Sequence, residues 1–316
     1  MVAGTCRVST AAKIVAALLL ASLSPGMSAQ GKRVAASESW VKLPSAGQTQ
    51  AMAFVAIENP TMYGIYVTSA SSDAAGKVEL RDGSQGGDAR LKAVANLPVN
   101  DPAECVKELN RAVTKLGLCG GMVAAQAHRK NLGSPEYYPL YEEAQRLNTP
   151  ISIHAFGGDE PGSEVFDQFI SLHTCGHPFP VLRQLTAMVF GGIPEMFPKL
   201  RVGYLEVGCG WLPYWAERMD EEWEKRGKVE APLCKKKPSE YLCGENSYYG
   251  CEPEEKMISY VVGEIGSKTL MYASDYPHWD MSWPESASIL WERSDISLDV
   301  KKDLLLNNAK RFYNFS

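Results

Sequence analysis

Residues 137–155 read YYPLYEEAQRLNTPISIHA, and this stretch indicates the fold class of most of the chain. Its first part, residues 137–147, carries apolar side chains at helical spacing and predicts an amphipathic helix. Its second part, residues 150–155, is a short apolar run that carries a histidine near its end, which is typical of a buried strand. A helix that leads directly into a buried strand is the repeating unit of α/β folds.

The same pattern recurs on both sides of this stretch. Residues 103–116 also place apolar side chains at helical spacing, which predicts another helix. Strand-like apolar runs lie at residues 93–99, 121–125, 150–155, 201–207, 247–249 and 270–274. Because strands that alternate with helices form a parallel sheet, open or closed into a barrel, we predict an α/β domain over residues 92–316.

Residues 30–91 have a different composition. They are poor in leucine, contain no cysteine and no histidine, and alternate short apolar runs with turn-forming residues. These runs lie at residues 39–43, 51–57, 65–70 and 77–80. Such spacing is typical of antiparallel strands joined by turns, so we predict a small antiparallel β module here.

Residues 1–29 have the features of a secretory signal peptide. Arg7 and Lys13 supply the positive charges, residues 14–23 the apolar segment, and residues 27–29 the small-residue cleavage site. The alternatives are an amphipathic first helix or a membrane anchor, although Pro25-Gly26 ends the apolar run early for an anchor. We predict export, for example to the periplasm, with no integral membrane span after cleavage.

The cysteines indicate a different compartment. Cys6 lies in the predicted signal, and the other seven cysteines all follow residue 104 without a CxxC pair. Buried free thiols of a reducing compartment such as the cytoplasm fit this usage better than a disulfide framework. The two ends of the chain therefore predict different compartments, which suggests a composite protein.

Composition and motifs exclude several function classes. The 316 residues are 45% hydrophobic with a net charge of −5, and the pI is about 5.7. An acidic globular chain is a poor partner for nucleic acid or an anionic membrane. The sequence has no P-loop and no GxSxG, and its one strand-linked GxG, at residues 208–210, lacks the third glycine of a dinucleotide site. We expect a small-molecule substrate.

Polar residues follow three of the predicted strands: His154, Glu206 and Asp275. Because strand carboxyl ends meet on one face of a barrel, their polar atoms should lie within roughly 4–8 Å of one another around a divalent ion. Histidine and carboxylate suit Zn²⁺ or Mn²⁺, and Glu206 can act as acid, base or ligand. The alternative for each is a polar residue that only caps its strand.

Residues 93–316 resemble the amidohydrolase-related family, in the branch that includes aminocarboxymuconate semialdehyde decarboxylase and aromatic-acid decarboxylases. The most specific matching segments are GGIPEMFPKLRVGYLEVGCGWLPYW at residues 191–215 and YASDYPHWD at residues 272–280. The resemblance implies a distorted (β/α)8 barrel around one divalent metal, usually zinc, with manganese as the alternative. It also implies a hydrolase or carboxy-lyase that acts on a small carboxylate or cyclic substrate, and a homodimer.

Carried over by position, the resemblance makes His154 and Asp275 metal ligands, with Asp275 also catalytic. Glu206 stands where the decarboxylases of the family have a catalytic histidine, so it becomes the catalytic proton carrier and favours hydrolysis. His177, in the GHPF segment, falls at the rim of the substrate pocket. His128, His173 and His278 are expected to be structural or to support the ligands.

The sequence departs from the family at its first strands. It holds no H-x-H or E-x-H pair, which the family uses as strand-1 ligands, and six of the eight βα units are recognisable. We therefore expect an incomplete TIM-like (β/α)8 metal-dependent hydrolase barrel, preceded by the small β module. With two or three ligands in place of the full set, we expect weak metal binding and low turnover.

Residues 34–91 resemble the periplasmic PCu(A)C-type copper chaperones. The matching segments are ESWVKLPSAGQ at residues 38–48, VAIENP at 55–60 and SASSDAAGKVEL at 69–80. Arg81-Asp82-Gly83 occupies the place of that family's first copper ligands, so we expect no copper site. The alternative function is thus an exported, non-catalytic fusion of a chaperone-like module to a degenerate barrel.

Overall fold

A six-stranded parallel sheet forms the centre of the larger part of the protein. The computed structural model describes residues 35–42, 52–58, 93–126, 130–155, 162–276, 278–282 and 284–315. The strands are β1 (Ala35–Lys42), β2 (Met52–Glu58), β3 (Val94–Asn96), β4 (Gly120–Ala124), β5 (Ile151–His154), β6 (Val202–Leu205), β7 (Ser247–Cys251) and β8 (Leu270–Tyr272). β3 to β8 lie side by side in chain order, and every neighbouring pair is parallel.

Helices follow most of these strands, as expected for an α/β fold. They are α1 (Pro102–Leu116), α2 (Tyr138–Arg146), α3 (Phe169–Gly176), α4 (Pro178–Phe190), α5 (Ile193–Met196), α6 (Leu212–Glu222), α7 (Lys228–Glu230), α8 (Pro238–Leu242), α9 (Ile258–Ile265), α10 (Ser286–Glu292), α11 (Leu298–Lys302) and α12 (Asn308–Tyr313). The six predicted strands and the two predicted helices are confirmed. Two π-helical turns, Trp223–Gly227 and Asp303–Asn307, extend α6 and α11.

The first helix shows how local sequence sets an element's limits. Asp101 accepts the Glu104 N–H at 3.1 Å, and Pro102 begins the helix, where its missing N–H costs nothing. Gly117 ends it with a φ of 71°, a left-handed conformation that glycine adopts without strain. α1 therefore runs from one capping residue to the other.

Both faces of the sheet are covered, as the burial of its strands indicates. In β5, Ile151, Ser152 and Ile153 are all buried, a pattern typical of parallel strands under helices. Beneath β6, the Phe312 ring lies so close that a Cβ on Gly203 would be 2.7 Å from it. The Arg201 side chain also donates to the Phe312 carbonyl at 2.8 Å, so α12 is fixed against β6.

The described residues form two compact units: residues 35–42 and 52–58 with 278–280, and residues 93–276 with 281–315. In the smaller unit, β1 and β2 pair antiparallel at the first two predicted runs. The predicted runs at residues 65–70 and 77–80 lie outside the described residues. The predicted signal peptide and residues 81–83, where we expect no copper ligands, also lie outside them. The domain boundary near residue 92 stays a prediction.

Two further expectations concern the sheet edges and the thiols. Within the described ranges the parallel sheet has six strands, and β3 and β8 each pair on one side. All seven cysteines after residue 104 are free, as predicted, but not all are buried: Cys119 and Cys175 are half-buried, and Cys243, which ends the short helix α8, is exposed. Among the described helices, none combines the length and the apolar character needed to cross a membrane.

Candidate metal centre

His154 is fixed at the end of β5 by its own backbone neighbour. Its Nδ1 lies 2.7 Å from the Ala155 carbonyl oxygen, and a carbonyl only accepts, so Nδ1 carries the hydrogen. In the neutral ring, Nε2 then holds a lone pair, and this nitrogen lies 3.0 Å from Glu206 Oε2. Fixing one ring nitrogen on a carbonyl is the usual way in which proteins orient a metal-binding histidine.

Glu206 and Asp275 occupy a strained backbone. Glu206 directly follows β6 with a φ of 63°, and Asp275 follows β8 with a φ of 54°. Among the described residues the other non-glycine positions of this kind are Asn148 and Asn314, and asparagine tolerates this region well. A left-handed glutamate costs about 1–2 kcal/mol, and such strain concentrates at functional sites.

The strained backbone brings the two carboxylates together. One carboxylate oxygen of Glu206 lies within 4.8 Å of one of Asp275. Glu206 is thus a neighbour of both His154 Nε2 and the Asp275 carboxylate. Two carboxylates this close repel one another unless a proton or a cation lies between them, so the pair fits a divalent metal.

His177 lies beside Glu206. It stands between α3 and α4, and its Nε2 is 3.9 Å from Glu206 Oε2. Its side chain is 16% exposed and that of Glu206 15%, so both are largely shielded from water. The His177 ring packs on that of His173, with ring centres 4.5 Å apart, which holds it toward Glu206.

The structure thus brings His154, Glu206, Asp275 and His177 to one end of the sheet, with Glu206 as the shared neighbour. His278 follows Asp275 by three residues and belongs to the smaller unit. His128 lies outside the described residues. The roles that the sequence analysis assigned to the four clustered residues remain predictions.

One residue beside the site was not singled out by the sequence. Glu255, in the segment after β7, accepts the Cys209 N–H at 2.8 Å through Oε2 and the Glu252 N–H at 2.8 Å through Oε1. It therefore joins the loop that carries Glu206 to the loop that follows β7. No motif marks it, because it is one of three glutamates in the run EPEE at residues 252–255.

Known proteins of similar sequence are decarboxylases. The chain is 25% identical over 223 residues to 2-amino-3-carboxymuconate-6-semialdehyde decarboxylase of Dictyostelium discoideum, which covers 71% of this chain and 61% of the relative. It is 26% identical over 248 residues to gamma-resorcylate decarboxylase of Polaromonas, which covers 72% of this chain and 71% of that one. The chain thus spans about three fifths of the length of the Dictyostelium relative.

Solved structures show the same fold. The 5-carboxyvanillate decarboxylase of Sphingomonas paucimobilis superposes with a TM-score of 0.61 at 21% identity, over 72% of this chain and 68% of that one. A dihydroxybenzoic acid decarboxylase of Polaromonas, solved with bound manganese and 2-nitroresorcinol, gives 0.61 at 22% identity, over 72% and 70%. The α/β barrel-type fold predicted from the sequence is confirmed. The amidohydrolase family model matches residues 28–315, and the chain therefore belongs to the amidohydrolase family.

Proposed function

We propose that this protein is a metal-dependent carboxy-lyase that removes carbon dioxide from a small aromatic carboxylate. The observation that carries the proposal is the position of Glu206, whose carboxylate lies 3.0 Å from His154 Nε2 and within 4.8 Å of the Asp275 carboxylate. The decarboxylase names of its sequence relatives support the reaction class.

His154 Nε2 and the Asp275 carboxylate would hold the metal, and the Glu206 carboxylate would be the third ligand. When bound, a divalent metal polarises a carboxylate or carbonyl oxygen of the substrate. Zinc and manganese both accept nitrogen and oxygen ligands, and a set with two carboxylates to one imidazole is as well suited to manganese as to zinc.

Loss of carbon dioxide from an aromatic ring requires that a proton be delivered to the ring carbon that carried the carboxylate. Glu206 is placed to hold that proton on Oε2, because His177 Nε2 lies 3.9 Å from this oxygen. His177 can replace the proton after transfer and can bind the substrate carboxylate. Low exposure of both side chains keeps bulk water from competing.

A second candidate is hydrolysis, which the carboxylate of Glu206 favours. By the resemblance, the family's decarboxylases have a histidine at this position, whereas a carboxylate can act as a general base for water. The two reactions differ in product: carbon dioxide in one case, and a ring-opened or cleaved acid in the other.

The metal claim is tested by titrating Mn²⁺ and Zn²⁺ into the metal-free full chain and measuring binding by calorimetry. We expect weak binding that saturates at one ion per chain, and loss of binding in His154→Ala and Asp275→Ala. The control is Asp220→Asn, which removes a carboxylate that bridges α6 and α8 through Ser239. Equal binding by wild type and His154→Ala would refute the proposed site.

The reaction claim is tested at saturating metal with a panel of hydroxybenzoates and lactones, by following carbon dioxide and new acid groups separately. We expect metal-dependent release of carbon dioxide that Glu206→Gln slows by about 10²- to 10⁴-fold and Asp220→Asn leaves unchanged. Release of acid alone would establish the hydrolase. Absence of either product from every substrate would favour the non-catalytic fusion.

A further inference from the structure

We infer that Glu255 is the positioning residue for Glu206: it fixes the loop after β6 so that the Glu206 carboxylate faces the two histidines. The inference deepens the proposed function and rests on it for the catalytic effect. Its structural part, that the Glu255 carboxylate holds the loop after β6, rests only on observed hydrogen bonds.

The two oxygens of Glu255 serve different loops. Oε2 accepts the Cys209 N–H, three residues after Glu206, and Oε1 accepts the Glu252 N–H, directly after β7; both distances are 2.8 Å. Hydrogen bonds to an ionised carboxylate are stronger than those between neutral groups. The loops that follow two neighbouring strands are therefore joined through one side chain.

The loop after β6 needs such a restraint. Glu206 and Gly208 both have a positive φ, 63° and 62°, so the chain makes two left-handed steps within three residues. A relaxed chain would leave the left-handed region at Glu206 and turn its carboxylate away. The Trp211 indole N–H adds a second restraint, because it donates to the Gly208 carbonyl at 2.9 Å.

The fit between Glu255 and this loop is close. A Cβ on Gly208 would lie 2.8 Å from Glu255 Oε2, so only glycine leaves room for the carboxylate. The buried Cys209 thiol also lies against it, and burial, together with the negative charge of Glu255, raises the pKa of Cys209. The side chain thus packs against the loop as well as bonding to it.

Arg293 binds the backbone carbonyl of Glu255. Its Nη1 donates to the carbonyls of Glu255 at 2.7 Å and Pro253 at 2.9 Å, while Nε and Nη2 bind Asp295 at 3.0 and 2.6 Å. The Arg293 side chain is 12% exposed. Its geometry is therefore well defined, and the segment 252–255 is fixed before its carboxylate reaches the Glu206 loop.

The test compares Glu255→Ala with Glu255→Gln and with the control Asp220→Asn. Asp220 also accepts two hydrogen bonds, from Ser239 N at 2.8 Å and Ser239 Oγ at 2.7 Å, but these join α6 to α8 instead of holding the loop after β6. Hydrogen–deuterium exchange is measured by mass spectrometry on the peptide over residues 206–212. We expect exchange there to rise about 10- to 100-fold in Glu255→Ala, as loss of a bond to a charged acceptor predicts, and to stay unchanged in Asp220→Asn.

The catalytic part is tested with kcat and KM at saturating metal. We expect kcat to fall at least about tenfold in Glu255→Ala with KM nearly constant, because a proton carrier and not a binding group is displaced. Glu255→Gln keeps one acceptor oxygen and should recover part of both effects. In a Glu206→Gln background, Glu255→Ala should lower kcat no further.

Unchanged exchange over residues 206–212 in Glu255→Ala would overturn the inference. An equal loss of kcat in Asp220→Asn, or a full additional loss in the Glu206→Gln background, would show a general structural effect instead. If the protein has no carboxy-lyase activity, the exchange result still decides the structural part, so failure of the two proposals can be distinguished.

Discussion

At Glu206 the backbone is held in a conformation that its own side chain disfavours. Glycine adopts a φ of 63° freely, whereas alanine carries the same Cβ penalty as glutamate. Substitutions at this position therefore separate the cost of the backbone from the chemistry of the carboxylate.

We predict that Glu206→Gly is more stable than Glu206→Ala by about 1 kcal/mol, while both lose activity. The measurement is the free energy of unfolding in urea. The control pair is Lys107→Gly and Lys107→Ala in the exposed middle of α1, where the order should reverse by about 1 kcal/mol because alanine favours the helix. The same order at both positions would show that Glu206 carries no backbone strain.

A second prediction concerns pH. The hydrogen bond from Arg293 holds the pKa of Asp295 below its usual range. Because the folded pKa lies below the unfolded one, the ionised carboxylate stabilises the fold above the unfolded value, and this contribution disappears as pH falls through the folded value. The stability difference between wild type and Asp295→Asn should thus be constant from pH 7 to about 5 and shrink below about 4.

Urea unfolding at a series of pH values measures this difference. Asp299→Asn provides the comparison, since the Asp299 side chain is 92% exposed and its ion pair to Lys302 is long, at 3.5 Å. A difference for Asp295→Asn that grows on acidification would contradict the prediction.

Single residues were predictable from sequence where a strand ended on them. His154, Glu206 and Asp275 each follow an apolar run, and barrel geometry brings such positions together. The positive φ of Glu206 and the contacts of Glu255 were not predictable, because both depend on how the loops after β6 and β7 meet. The packing of His177 on His173 was not predictable either, because the GHPF segment carries no sign of it.

At the scale of elements, a buried glutamine joins the residue after β4 to Leu132. Gln184 on α4 donates through Nε2 to the Ala125 carbonyl and accepts the Leu132 N–H through Oε1, both at 2.8 Å. Without the Gln184 amide, the Ala125 carbonyl and the Leu132 N–H would stay buried and would each lose this hydrogen bond.

We predict that Gln184→Leu lowers the free energy of unfolding by about 2–4 kcal/mol, because each orphaned buried group costs about 1–3 kcal/mol. Denaturation in urea measures the loss. For comparison, Gln145 makes a single exposed hydrogen bond to the Lys199 N–H at 2.9 Å, and Gln145→Leu should cost less than about 1 kcal/mol. Similar costs for the two substitutions would show that the Gln184 bridge contributes little.

Elements with one clear periodicity were predictable, and irregular ones were not. The strands β3 to β8 are apolar runs because helices cover both faces of the sheet. A strand that is buried on both faces can therefore be recognised by its apolar residues. The π-helical turns Trp223–Gly227 and Asp303–Asn307 widen a helix by one residue, which shifts its apolar pattern without any residue type that marks the change.

At the scale of the whole molecule, the last helix completes the packing of a central strand. Phe312 is fully buried beneath Gly203, and its ring packs on Tyr248 with centres 5.0 Å apart. Phe312→Ala should cost about 3–5 kcal/mol, by loss of transfer free energy and creation of a cavity. Leu306→Ala, at a half-exposed position, should cost less than about 1 kcal/mol; both are measured by urea unfolding. Comparable losses would contradict this role for α12.

Composition alone predicts a domain boundary near residue 92, because leucine, cysteine and histidine usage changes there. Membership of the amidohydrolase family, in contrast, rested on motif resemblance and was confirmed by comparison. Composition did not indicate that residues 278–280 belong to the smaller unit.

The bond from Arg201 to the Phe312 carbonyl joins residues 111 positions apart. A ribosome adds residues in order, so β6 emerges long before the helix that covers it. During that interval Gly203 faces no aromatic ring, and the sheet has an uncovered apolar surface to which a chaperone can bind. Contacts of such sequence separation also slow folding, because the intervening chain must be ordered first. Folding of the larger unit is thus expected to finish only after synthesis has passed Phe312.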